Sequence, residues 1–90
     1  MDITKPEMNS HSAYDLHEIV SYAEQKLDID ALDEMWDWFV STYEPDDGSY
    51  HTISAGRHLN AKTKLDKKVR AVLEELQKEY GDDIPVFVEW

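Results

Sequence analysis

Four carboxylates, Asp30, Asp33, Glu34 and Asp37, recur at i, i+3, i+4 and i+7, the spacing that places side chains on one face of a helix. At about 100° per residue they fall within roughly 100° of one another, opposite an apolar stripe. Like charges at these spacings repel by about 0.2–0.5 kcal/mol per pair. Acids in a first helical turn suit the helix dipole, which accounts for Asp28 and Asp30 and helps Asp33 but leaves Glu34 and Asp37. A one-sided carboxylate array can engage a basic surface. Trp38 lies about 120° from the centre of the apolar stripe, beside Glu34 and Asp37. Tyr14 and Tyr22 likewise fall off the stripe of the preceding helix. Aromatic residues at the rim of an apolar face are enriched at protein interfaces. The alternative is that the N-terminal leader, or a C-terminal strand ending in Trp90, covers them.

The second cluster is basic: Arg57, His58, Lys62, Lys64, Lys67, Lys68 and Arg70. Residues 57–70 hold six bases and one acid, whereas residues 1–56 hold thirteen acids and two bases, and residues 71–90 six acids and one base. Bases early in a helix and acids late both oppose its dipole, at up to about 0.3–1 kcal/mol per charge. Two explanations stand: pairing with the acidic segment ahead, or an anionic ligand bound by Arg57, His58, Lys64, Lys67, Lys68 and Arg70 near free backbone N–H groups. Internal pairing is favoured. These bases are not interleaved with aromatics, as single-stranded nucleic-acid binding would require.

Other chemistry finds little support in the residues. There is no cysteine, hence no disulfide framework or thiolate metal site. The glycines Gly48, Gly56 and Gly81 are too scattered for a phosphate loop, and no Gly-x-Ser-x-Gly or His-Glu-x-x-His run occurs. His11, His17, His51 and His58 match no zinc spacing, although His51 and His58 flank one loop. The expectation is no enzyme, no resident metal and no cofactor.

These residues must be positioned by a small α+β fold. Residues 1–11 lack periodicity and read as a flexible or loosely docked leader, followed by one acidic domain over 12–90. A first helix starts at Ser12, with Asp15 three residues on, and carries the stripe Leu16, Ile19, Val20, Ala23 and Leu27. A second, capped by Asp28 with Leu27 and Leu32 as a hydrophobic staple, carries Leu32, Met35, Trp36, Phe39, Val40 and Tyr43. The turn residues 44–49 end it. Residues 50–54 alternate as a strand, and Ala55-Gly56 breaks it. A third helix spans about Asn60 to Tyr80 on the stripe Leu65, Val69, Val72, Leu73, Leu76 and Tyr80, with Gly81 a left-handed residue past its end. Residues 84–90 close the chain as a strand, with Pro85 marking an edge or a strand start. The order is α-α-β-α-β: three helices against a two-stranded sheet, whose strand–helix–strand order permits a parallel pair. An open edge of the 84–90 strand could receive a second copy.

Ninety residues make one domain, and 41% hydrophobic content with three Trp and five Tyr is ample for folding. No apolar run approaches the roughly 20 residues that cross a bilayer, and the N-terminus lacks a signal-peptide layout, so a cytoplasmic protein is expected. A net charge of −11 disfavours nucleic acid and anionic lipid and favours a basic protein surface. In size and charge the chain is similar to small acidic inhibitors made by phages and mobile elements, some of which imitate DNA. That resemblance, one of composition, implies a non-catalytic protein-binding module that blocks a basic, nucleic-acid-binding surface of a partner. The alternatives are a small regulatory nucleic-acid-binding protein using the basic segment, and a structural or oligomeric subunit.

Overall fold

Asp15, not Ser12, opens the first helix. In a computed structural model, which describes residues 5–46, 48–61 and 64–88, its Oδ1 accepts from the Glu18 N–H at 3.2 Å. Asp15-x-x-Glu18 has the spacing of a capping box, and it moves the start four residues past Ser12, which sits at φ 61°. The elements run β1 (Tyr14–Asp15), α1 (Leu16–Leu27), α2 (Leu32–Tyr43), β2 (Ser49–Ser54), α3 (Ala55–Asn60), α4 (Lys67–Tyr80) and β3 (Asp83–Val88). The α+β expectation holds at the level of class; the details differ, with four helices and three strands among the described residues.

The extra helix lies just ahead of the expected third one, which itself starts seven residues later than Asn60. Residues 55–60 form α3 directly after β2, so Ala55-Gly56 starts a helix where the sequence suggested only a stop. Gly56 is there for proximity: a Cβ on it would stand 2.9 Å from Asp82 Oδ1. The chain then restarts at Lys67, because Asp66 caps α4 by accepting from the Lys68 N–H at 2.9 Å. Gly81 ends α4 at φ 91° and ψ −170°. That is positive φ as expected, but in the extended region open essentially to glycine alone rather than the left-handed helical one.

The sheet order is β1-β3-β2. β2 and β3 are antiparallel, with Ile53 opposite Ile84 and His51 opposite Val86, and the parallel contact is the two-residue pairing of Tyr14–Asp15 with Val86–Phe87. The sheet is therefore mixed and three-stranded, not a two-stranded parallel pair. β3 lies in its centre, so the edges are β2 and the two-residue β1, and a strand added at β2 would not pair with the segment the sequence singled out. The Ala55 N–H donates to the Asp82 carbonyl at 2.7 Å. Alternation of the antiparallel ladder from that pair turns the backbone polar groups of Thr52 and Ser54 outward, away from β3.

One core joins all layers. Leu16, Ile19, Val20 and Ala23 of α1, Met35 and Phe39 of α2, and Val69, Val72, Leu73 and Leu76 of α4 pack with Ile53, Ile84, Val86 and Val88 of the sheet. The opposite sheet face carries Tyr50 against Phe87 at 4.9 Å between ring centroids, with Tyr50 still 49% exposed. Lys5, in the expected leader, is held on the end of α4: its Nζ donates to the Glu79 carbonyl at 3.1 Å and stands 4.8 Å from the Tyr80 ring centroid. The expected strand end at Glu89–Trp90 and the basic residue Lys62 lie outside the described residues.

Candidate partner-binding face and cleft

α2 begins at Leu32, and its start is held from another helix. The residue before it, Ala31, has no capping side chain. Glu24 of α1 supplies the cap, its Oε2 accepting from the N–H groups of Ala31 at 2.7 Å and Leu32 at 2.9 Å. Asp28, expected to cap α2, instead ends α1 in the left-handed conformation at φ 55°, ψ 49°, with its N–H on the Glu24 carbonyl. Asp tolerates that conformation better than most residues.

This start rearranges the acidic face. Asp30 stands in the linker, exposed, and is not part of a helical array. Asp33 and Glu34 occupy the first turn, where the helix dipole favours them. Only Asp37 is left without that explanation. Glu34 also has a partner, Lys68 Nζ of α4 at 3.5 Å, an exposed pair of the kind worth about 0–1 kcal/mol. Asp28, Asp30, Asp33 and Asp37 carry no ion pair among the described residues.

Between α2 and the start of α4 lies an open cleft of about 300 Å³. Glu34, Asp37 and Trp38 form one wall, and Lys64, Leu65 and Val69 belong to the other. The two clusters the sequence set apart, acidic and basic, thus meet across one cleft. Trp38 is half-buried. Its ring meets His58 edge-on at 5.0 Å and Tyr43 at 6.0 Å, while the residue also lines the cleft.

Tyr14 and Tyr22 do not join this face. Tyr22 is 7% exposed, and its hydroxyl donates to Glu79 Oε2 at 3.3 Å. Tyr14 lies in β1 and packs on Tyr80 at 4.5 Å. Both belong to the packing at the end of α4, so their positions off the first stripe reflect a neighbouring helix rather than a free rim. Burial pushes the Tyr80 phenol well above its usual value, helped by Tyr14, Tyr22 and Glu79, and its hydroxyl is buried without a hydrogen-bond partner among the described residues.

The basic residues divide. Lys68 pairs with Glu34; Arg70 Nε stands 3.4 Å from Glu74, and Arg70 Nη2 reaches the Leu59 carbonyl at 3.5 Å. Lys64 faces the cleft, and Lys67 is exposed at the start of α4. Arg57 and His58 sit apart on α3. There the Tyr43 hydroxyl and His58 Nε2 are 2.7 Å apart, a contact between α2 and α3 whose only trace in the sequence is that His58 follows a strand and a glycine. Burial lowers the His58 pKa below 6.5, and neighbouring Arg57 adds to the shift. Burial raises the Tyr43 pKa above 10, opposed by the Ser54 backbone N–H and by Arg57.

Among the described residues no group of three or more His, Asp or Glu side chains is arranged to hold a metal ion. No helix among them is long and apolar enough to cross a membrane. No family model, curated protein or solved structure matches the chain.

Proposed function

We propose that this protein is a non-catalytic binding module that lays the acidic face of α2 and its approach on a basic protein surface, and inhibits the partner by occupying it. One observation carries the reading: Asp33 and Asp37, at i and i+4 on α2, are exposed and carry no ion pair among the described residues, and Asp37 lines one cleft with Trp38. Lys68 pairs with Glu34, whereas Asp33 and Asp37 have no such partner among the described residues. Carboxylates held on one side present a field that a cationic surface complements, and such complementarity raises on-rate and specificity. Trp38 supplies what a carboxylate array lacks, an apolar anchor able to exclude water at the centre of a contact. A surface that normally holds nucleic acid suits the charge, since duplex DNA presents about one charge per 1.7 Å.

Direct nucleic-acid binding is the weaker reading, because Lys68 and Arg70 are engaged with Glu34 and Glu74. A cytoplasmic setting accords with the proposal.

The test is capture of partners from native extract, eluted by a salt gradient, with the wild type compared with Asp33→Asn/Asp37→Asn/Trp38→Ala. A basic protein retained at low salt, released as salt rises and lost by the triple variant supports the reading. Retention that ignores salt, or survives the triple variant, overturns it.

A further inference from the structure

A second recess, separate from the acidic face, has the opposite character. Thr42 and Tyr43 of α2, Thr52 and Ser54 of β2, and Arg57 and His58 of α3 line a space of about 430 Å³. Among the described residues no carboxylate lines it, in a chain with 20 acidic residues. Its cation is free: Arg57 is exposed and forms no ion pair among the described residues, unlike Lys68 and Arg70. The geometry points to this recess as a binding site for a phosphate group, free or as the monoester of a small molecule.

Three features support the assignment. A tetrahedral oxyanion needs several donors at once, and here they come from three elements. Arg57 offers a planar fork suited to two oxygens, and Thr42 offers a hydroxyl. The backbone N–H of Thr52 belongs to the unpaired edge of β2 and is directed to this side by the ladder. Pro85 opposite Thr52 has no N–H of its own, which fits its place in the pair that does not exchange hydrogen bonds.

Second, the recess is held in shape. Tyr43 and His58 lock α2 to α3 through their 2.7 Å contact, and both rings meet His51 or Trp38 edge-on. With Nε2 engaged by the phenol, the other ring nitrogen of His58 is left for a ligand or for water. Third, the protein's overall negative charge does not forbid an anion here. At physiological ionic strength charges more than about 8 Å away are largely screened, so the local Arg57 dominates. A volume of about 430 Å³ lies within the roughly 300–1,000 Å³ of small-molecule sites, leaving room for a group attached to the phosphate.

Among the described residues, the charged and titratable groups facing His58 are Arg57 on its own helix and Tyr43 on α2, with His51 of β2 on the far side of Tyr43. A bound dianion therefore favours the imidazolium form of His58. The test is an amide and imidazole NMR titration of the full chain at constant ionic strength with inorganic phosphate, phosphoserine and acetate. Expected are saturable shifts at Thr42, Thr52, Ser54, Arg57 and His58 with Kd on the order of 1 mM or tighter, and a His58 midpoint that rises when phosphate is present. Arg57→Gln should weaken binding about tenfold or more with the amide spectrum otherwise intact, and Arg57→Lys should restore part of it. Stronger binding of phosphoserine than of phosphate supports a monoester ligand. Absence of saturable shifts, an unmoved His58 midpoint, or equal binding of acetate overturns the proposal.

Discussion

The carboxylate of Glu24 closes the start of a helix to which it does not belong, holding the N–H groups of Ala31 and Leu32 through one oxygen. Two orphan donors of α2 are satisfied by α1, and the joint between the helices is set by that pair of bonds. Replacement of a cap by alanine costs about 0.5–2 kcal/mol, and here two donors are left at once. Glu24→Ala should therefore destabilise by about 1–2 kcal/mol, some 4–8 °C in Tm per kcal/mol for a domain of this size. Glu24→Gln, which keeps an acceptor oxygen, should lose less. Chemical denaturation of the three proteins checks the order.

Gly81 tests backbone conformation alone. A Cβ there would meet nothing within 4 Å, yet φ is 91° with ψ at −170°. Gly81→Ala should cost about 1–3 kcal/mol from strain, with no loss of packing. A denaturant midpoint lowered at unchanged m-value is the expected result.

His58 makes stability depend on mild acid. Its folded pKa lies below 6.5, so the unfolded chain binds the proton more readily. The contribution of neutral His58 is complete above pH 6.5 and declines as pH falls from 6.5 through the folded value. Stability of the wild type should fall over that interval more steeply than that of His58→Gln. Urea midpoints taken between pH 7.5 and pH 5 measure the difference.

Tyr43 and Tyr80 act at the other end. Both phenols are raised above 10, so their contribution is complete below pH 10 and is lost as pH rises through the folded values. The late phase of a tyrosinate absorbance titration should shrink in Tyr43→Phe and Tyr80→Phe. Tyr80→Phe should also be neutral or stabilising by up to about 1 kcal/mol at pH 7, because the hydroxyl it removes is buried without a partner.

Asp33 and Asp37 separate binding from folding. They stand at i and i+4 and repel by about 0.2–0.5 kcal/mol. Asp33→Asn/Asp37→Asn should leave stability unchanged within about 0.5 kcal/mol, or raise it, while partner capture falls. A loss of thermal stability comparable to that of Glu24→Ala would assign the pair a structural role.

Much of this was legible from periodicity. The stripes of Leu16, Ile19, Val20 and Ala23, and of Val69, Val72, Leu73 and Leu76, are buried as their spacing required. What local rules could not locate were the ends of helices. Asp15, Asp28 and Asp66 all bear capping chemistry, but whether each starts or ends a helix depends on its backbone angles, and the cap of α2 comes from Glu24 in another helix. The site suffered accordingly. Moving the start of α2 from Asp28 to Leu32 took Asp30 off the acidic face and gave Asp33 and Glu34 a dipole role. The pairing of Glu34 with Lys68, and the Tyr43–His58 contact, depend on how helices cross and leave no trace in spacing.

The central position of β3 also has a consequence for the order of assembly. Among the described residues β1 and β2 pair with no strand but β3, and Tyr14 finds its register against Val86, 72 residues away. No part of the sheet can precede the arrival of residues 83–88. Helices rest on local contacts and form early, but the apolar flank of Ile53 stays uncovered until residues 83–88 are in place. Such long-range closure slows the search relative to helical bundles of equal length. The sheet is thus completed in one step, when β3 enters between its two neighbours.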